Sequence, residues 1–382
     1  MEKNVLVMIP GPTPVVESIR REMGRPIQAF GDPRFVADYK KLIADLGTLF
    51  GCGGMTFPLA GTGTLAMEMA IANTTKRGDN VLIVSNGFFG DRFIDICTRK
   101  GLNVDVISAE WGTYVTPEEI DKKLSEKNYA AMTVTHVDTS TAVVAPIAEI
   151  GKVMAKYPDT VYIVDGVAAT AGEYAQVDEM GIDVMFTGSQ KAFGVCSGMF
   201  ILWAGQKALK RRSELGVIPE YFVDFDKWIP IMENPAKYFA TPAVNLVWAM
   251  LEATKIIAEE GLAARAARHR KNADAVACAL EAVGCKILAA EGCRASTLSV
   301  VLYPDGVDDA AFRSNMINAE NVVVANALGA YAGKAFRLGH MGNITENDMI
   351  VALSAVERSL MTCGAAVQPG AAVGAYISKM AE

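Results

Sequence analysis

From about residue 55 to residue 203 this 382-residue chain alternates short apolar runs with stretches of helical pattern. The runs are Met55–Leu59, Val81–Val84, Val104–Ile107, Ala131–Thr135, Val161–Val164, Val184–Thr187 and Met199–Trp203. Helical patterns separate most of them, at Leu65–Asn73, Asp91–Lys100, Pro117–Ser125 and Ile147–Lys156. A strand that is apolar almost throughout must be covered on both faces, so the alternation predicts an α/β fold with a mostly parallel, seven-stranded sheet flanked by helices. The gap between the last two runs is too short for a crossover helix, which predicts an antiparallel final strand.

An Ala/Leu/Glu/Arg-rich segment, Ala243 to Val283, breaks this rhythm and predicts one or two long helices. Beyond it come strand patterns at Leu298–Tyr303, Asn321–Val324 and Ala335–Leu338, and helical patterns at Asp308–Asn318 and Glu346–Met361. The expected organisation is a large domain over 15–255 and a smaller C-terminal α/β domain over 256–382, joined by the N-terminal segment 1–14. The Gly/Ala-rich tail from Gly364 to Glu382 is expected to end in a short helix.

A net charge of −7 without a segregated basic patch argues against nucleic acid or an anionic membrane as partner. The one basic cluster, Arg265 to Lys271, reads as a solvated helix face. The apolar run Val5 to Ile9 is too short for a signal-peptide core, and no run is long enough to span a bilayer. Seven cysteines without Cys-x-x-Cys pairing indicate neither a disulfide framework nor a metal site. The chain reads as a soluble cytoplasmic protein.

The chemistry concentrates at strand ends. Thr187-Gly-Ser-Gln-Lys191-Ala-Phe-Gly194 sets a lysine in a turn of small residues, and Val161–Val164 runs into Asp165-Gly166. Charges at the ends of buried strands are costly without a partner. Pyridoxal phosphate would answer both, because its aldehyde condenses with a lysine and its ring nitrogen needs a carboxylate. A surface lysine and a helix-capping aspartate are the plainer readings. Gly61-Thr62-Gly63-Thr64 follows the first strand and opens a helix, as an anion cradle does. It reads equally as a strand-to-helix turn. A dinucleotide site fits less well, since the next strand ends in Ser85-Asn86-Gly87 without an acid.

Phe88 and Phe89 suit core packing, or one of them suits stacking on a planar ring. The polar cluster Thr135 to Thr141 suits a loop or a cofactor oxygen, and its His136 reads as structural or as a general base. Arg337, inside a strand pattern, suits a salt bridge or a substrate carboxylate.

In this order the motifs resemble the class V pyridoxal-phosphate aminotransferases, specifically the alanine–glyoxylate/serine–pyruvate type. The resemblance runs from Pro10-Gly11-Pro-Thr-Pro14 to Arg337 and is most specific at Gly188-Ser-Gln-Lys191, Val164-Asp165-Gly-Val-Ala168 and Asn86-Gly-Phe-Phe-Gly90. It implies a fold-type I enzyme with Lys191 as Schiff-base lysine, Asp165 as partner of the ring nitrogen, Phe89 as stacking ring and Thr139 as a contact to the cofactor oxygen. It further implies that Thr62, Gly63, Thr64 and Gln190 hold the phosphate, and that Arg337 binds the substrate carboxylate beside Gly11. Lys237-Tyr238-Phe-Ala-Thr241-Pro242 resembles the segment by which a neighbouring subunit reaches the phosphate, which implies a homodimer with shared active sites.

Two departures bear on substrate. Ala29-Phe30-Gly31-Asp32-Pro33 stands where the family carries His-Arg, putting Phe30 where substrate is recognised, and Phe193-Gly-Val-Cys196-Ser197-Gly198 stands where Pro-Pro-Gly is usual. The implied activity is transamination between a small amino acid, alanine or serine, and glyoxylate or pyruvate. Ureidoglycine, 2-aminoethylphosphonate and pyridoxamine are alternative donors. A lyase or desulfurase fits less well, and a nicotinamide-nucleotide-binding protein is the reading from outside the cofactor group.

Overall fold

A computed structural model describes residues 5–382, so residues 1–4 of the expected N-terminal segment lie outside the described residues. Seven strands form the main sheet in the spatial order Met55–Ala60, Met199–Ala204, Val184–Gly188, Val161–Asp165, Ala131–Thr135, Asn80–Ser85, Asn103–Ser108. Neighbours are parallel except at Met199–Ala204, which runs antiparallel to both strands beside it. That is the strand whose short lead-in predicted the reversal. The central strands are buried along their whole length, as their unbroken apolar runs require.

Helices cover both faces. The helix Gly63–Thr74 is buried over most of its length, and Pro33–Leu49 and Val244–Glu260 pack beside each other. Pro33–Leu49 was not among the expected elements, although Asp32-Pro33 is a start signal: Asp32 Oδ1 accepts from the Arg34 N–H at 2.9 Å and proline takes the first helical position. The long helical segment is two helices, Val244–Glu260 and Leu262–Ala282, parted by Gly261 at φ +81°.

A second, antiparallel sheet has the order Lys286–Ile287, Leu298–Leu302, Ala335–Gly339, Ala325–Asn326. The expected strand Asn321–Val324 is shorter, because Val322–Val323 pairs with Leu6–Val7 of the N-terminal segment and the chain joins the second sheet only at Ala325. The tail forms the helix Ala371–Ala381 against Leu262–Ala282.

Two apolar cores result. Phe35, Phe50, Phe193, Trp203 and Trp248 belong to the first; Met8, Phe312, Phe336 and Tyr376 to the second. Each such side chain contributes roughly 1.5–3 kcal/mol on burial. The boundary expected near residue 255 falls within Val244–Glu260. We propose a division farther on, along Leu262–Ala282, whose Leu262 sits in the first core and Ala275 to Leu280 in the second.

Candidate active site

The parallel strands end together on one side of the main sheet, and the loops that leave them enclose a cavity of about 170 Å³. Eight of the expected residues line it: Thr62, Gly63, Thr64, Phe89, Thr139, Asp165, Gln190 and Lys191. Asp165 is the last residue of its strand, and Lys191 stands in the turn between the Val184–Gly188 and Met199–Ala204 strands. This is the position at which open α/β sheets bind ligands.

Asp165 is almost fully buried, and its Oδ1 accepts a single hydrogen bond, from Val167 N–H at 2.9 Å. Burial pushes its carboxyl up to about 7, with nearby Asp138 adding to the rise and Lys191 and Arg92 opposing it. Burial and then the Arg337 guanidinium lower the Lys191 ammonium to about 8. Each group is thereby shifted toward neutrality, as buried charges without a close partner are. A perturbed acid and a perturbed base in one cavity make it the candidate active site.

The N-terminal segment crosses over the lysine. Lys191 Nζ donates to Pro10 O, and Thr13 Oγ1 donates to Lys191 O at 2.8 Å. Gly11, at φ +92°, is required here, since a Cβ would stand 2.6 Å from Lys191 Cδ. Arg337 approaches from the second sheet, where it pairs in register with Val300 and Ala325. Its Nε donates to Asn326 O at 2.8 Å and its Nη1 to Thr139 O at 3.4 Å, so the guanidinium is anchored on the rim by carbonyls and has no carboxylate partner among the described residues.

The aromatic wall depends on a residue to which sequence reasoning gave no role. The helix Phe88–Lys100 begins at Gly87 without a capping side chain of its own. Asp138 Oδ2 accepts from the N–H groups of Phe89 and Gly90 at 2.9 and 3.1 Å, and Ser140 Oγ accepts from Phe88 N–H at 3.0 Å. A carboxylate at the start of a helix also complements its dipole. Asp138 so fixes Phe89 at the cavity edge. Arg92, one turn along, lines the cavity too, and its spacing from Phe89 was the signal available for it. Thr135 was quoted only as part of a polar cluster; it lines the cavity with a buried hydroxyl that has no partner.

Four residues singled out by the sequence, Tyr238, Thr241, Phe30 and His136, are not brought to this cavity within the chain, while Gly11 and Arg337 stand beside its lining rather than in it. Tyr238 is 63% exposed, with its hydroxyl 3.5 Å from that of Thr241, also exposed. Phe30 packs against Tyr238, ring centroids 5.1 Å apart, rather than beside Lys191. His136 is buried outside the cavity lining, and burial lowers it to about 4, so it is a neutral core residue at physiological pH.

Residues 59–333 match the family model for the class V aminotransferases. An uncharacterized aminotransferase of Methanocaldococcus jannaschii is 36% identical over 94% of this chain and 93% of its own. The serine–glyoxylate aminotransferase of Hyphomicrobium methylovorum is 34% identical over 98% of this chain and 95% of its own. Among solved structures, the ureidoglycine–glyoxylate aminotransferase of Bacillus subtilis superposes with a TM-score of 0.94 at 27% identity, covering 100% of this chain and 99% of that one.

The chain belongs to the class V aminotransferases, on the fold-type I scaffold. It is an enzyme of the pyridoxal-phosphate-dependent transaminase class, acting on amino and keto acids.

The residues present suit that cofactor. The buried Asp165 carboxylate has one hydrogen bond and no cation bonded to it, Thr135 Oγ1 is an unpaired polar atom in the cavity wall, and Thr62 and Thr64 open a helix toward the same space. A ring with a protonated nitrogen, a phenolic oxygen and a phosphate answers these needs. No helix among the described residues is long and apolar enough to cross a membrane.

Proposed function

We propose that this protein moves the amino group of a small amino acid, of the alanine or serine type, to a 2-oxo acid such as glyoxylate or pyruvate. The observation that carries the reading is Arg337. It is an arginine without a carboxylate partner among the described residues, close enough to Lys191 to lower its pKa, and it bonds the carbonyl of Thr139, which lines the cavity that Asp165 and Lys191 share. An arginine so placed binds a carboxylate with both prongs, which suits an α-amino acid and its 2-oxo acid alike. The similarity to a serine–glyoxylate aminotransferase supports the same substrates.

In this reading Lys191 carries the cofactor, and Thr62, Gly63, Thr64 and Gln190 hold its phosphate. Asp165 would pair with the ring nitrogen, Phe89 would stack on the ring and Thr139 would meet the ring oxygen. When bound, pyridoxal phosphate supplies an aldehyde that takes up amines and an electron-poor ring that stabilises negative charge at the substrate α-carbon. Asp165 keeps a proton on the ring nitrogen, because a cation beside it restores the ionised carboxylate that burial alone disfavours. Lys191, its Nζ freed when a substrate amine takes its place and already biased toward the neutral amine, would take the proton from the substrate α-carbon and hold it at Nζ for return as an acid. Arg337 orients the substrate so that this proton faces Nζ, and such positioning supplies several kcal/mol.

We further propose a homodimer in which Tyr238 and Thr241 reach the partner's phosphate cradle and Phe30 meets the partner's substrate. The support is the exposure of Tyr238 and Thr241 and the absence of all three from the lining of their own cavity, together with exposed Ile27, Tyr221 and Phe222. A cytoplasmic location accords with the composition. Ureidoglycine is the second donor to consider, on the similarity to the Bacillus subtilis enzyme.

The test is a matrix of amines (alanine, serine, ureidoglycine, 2-aminoethylphosphonate, pyridoxamine) against glyoxylate and pyruvate. The expected result is highest kcat/KM for alanine or serine, with an Arg337→Ala variant losing substrate affinity far more than cofactor affinity. Preference for an amine without an α-carboxylate would overturn the substrate assignment.

A further inference from the structure

We infer that Arg92 is the positioning residue that makes the cavity selective for a phosphorylated cofactor, by setting the Thr64 hydroxyl as a donor and backing the Phe89 ring. The inference rests on the cofactor assignment above and adds a residue that this assignment does not use.

Arg92 lies in the first turns of the Phe88–Lys100 helix, and its side chain returns toward the Gly63–Thr74 helix. Its Nη1 donates to Thr64 Oγ1 at 2.9 Å. A hydroxyl has one proton to give. Because the guanidinium can only donate, the Thr64 oxygen is the acceptor in this bond, and its own proton is left for another acceptor. Thr64 borders the cavity at the start of a helix, beside Gly63, whose Cβ position is closed by Val167 at 2.7 Å. An anion there meets main-chain N–H groups, and it also meets a hydroxyl whose proton is left free to donate.

The same guanidinium stands 4.8 Å from the centroid of the Phe89 ring and 5.7 Å from that of Phe88. A cation on one face of Phe89 holds that ring in place while its remaining surface borders the cavity. No carboxylate lies within ion-pair distance of Arg92 among the described residues; its partners are a hydroxyl and two ring faces. Its charge is therefore felt in the cavity, where it already opposes the rise of the Asp165 pKa. One side chain thus joins the phosphate end of the cavity to its ring-stacking wall, and a dianionic phosphate is the ligand chemistry that gains from both the donor and the charge.

The experiment is equilibrium dialysis of the full chain, freed of cofactor, against pyridoxal phosphate and against pyridoxal, which lacks the phosphate. For Arg92→Met the expected result is a loss of tenfold or more in affinity for pyridoxal phosphate, with pyridoxal affinity changed less than threefold. In a Thr64→Val background the same Arg92 substitution is expected to have a markedly smaller effect, since the coupled pair is already broken. If Arg92→Met does not fold, Arg92→Gln is read by the same ratio.

Equal losses for both ligands would make Arg92 merely structural and overturn the inference. So would an unchanged ratio, or effects that simply add with Thr64→Val. Failure of the unsubstituted protein to bind pyridoxal phosphate at all would instead overturn the cofactor assignment.

Discussion

At the scale of single residues, the site places two titratable groups where burial works against their charge. Asp165 and Lys191 are shifted in opposite directions, to about 7 and about 8, and both shifts favour the neutral forms. The consequence for stability has a definite sign. Between pH 3.8 and about 7 the folded, cofactor-free protein keeps a proton on Asp165 that the unfolded chain has lost, so this residue's contribution to stability falls as pH rises through that window. Lys191 acts in a separate window: between about 8 and 10.5 the unfolded chain holds the extra proton, and stability rises with pH. Asp165→Asn should therefore stabilise the cofactor-free protein above pH 7, by on the order of 1–2 kcal/mol after loss of the attraction to Lys191. The gain should vanish near the ordinary carboxylate pKa. Urea unfolding of both proteins across this range checks it, and a destabilised variant above neutrality would show that Asp165 is paired rather than stranded. The same substitution should weaken the cofactor's hold, a trade between stability and function typical of active sites.

At the scale of elements, legibility followed how local each signal was. The seven strands of the main sheet were legible because unbroken apolar runs such as Val161–Val164 announce burial on both faces. The reversal at Met199–Ala204 was legible from loop length alone. Lys191, Asp165, Phe89 and the Thr62–Thr64 turn were legible because each stands at the end of a strand or within a few residues beyond it. Asp138 and Arg92 were not, because their roles are tertiary. One caps a helix distant in sequence, and the other reaches a hydroxyl on a neighbouring helix. The basic cluster from Arg265, expected on a solvated face, shows the same limit. Arg265 is buried, donating to Ala171 O and to Ala192 O beside the lysine, with Glu260 as its ion pair, while His269 accepts from Gly342 N–H. The first half of Leu262–Ala282 so ties the Lys191 turn to the turn that follows the Arg337 strand. Helical periodicity cannot report this, because it does not say what lies opposite the face.

At the scale of the whole molecule, the proposed shared site calls for a second subunit. Phe30, Tyr238 and Thr241 lie away from the chain's own cavity, and only a shared site gives them the roles the resemblance implies. A mixing experiment decides it. Lys191→Ala chains and chains carrying both Tyr238→Ala and Thr241→Ala should each be nearly inactive alone. Co-refolded in equal amounts, they should recover about a quarter of normal activity, because half of the dimers are mixed and each has one complete site. No recovery in stable mixed dimers would show that Tyr238 and Thr241 do not complete the partner's site.

The central claim is that Lys191 is where the cofactor is attached, and it can be read directly. Protein incubated with pyridoxal phosphate is reduced with borohydride, digested, and its peptides weighed. A single stable adduct is expected on the peptide containing Lys191, absent from Lys191→Ala. An adduct on another lysine, or an undiminished adduct in Lys191→Ala, would contradict it.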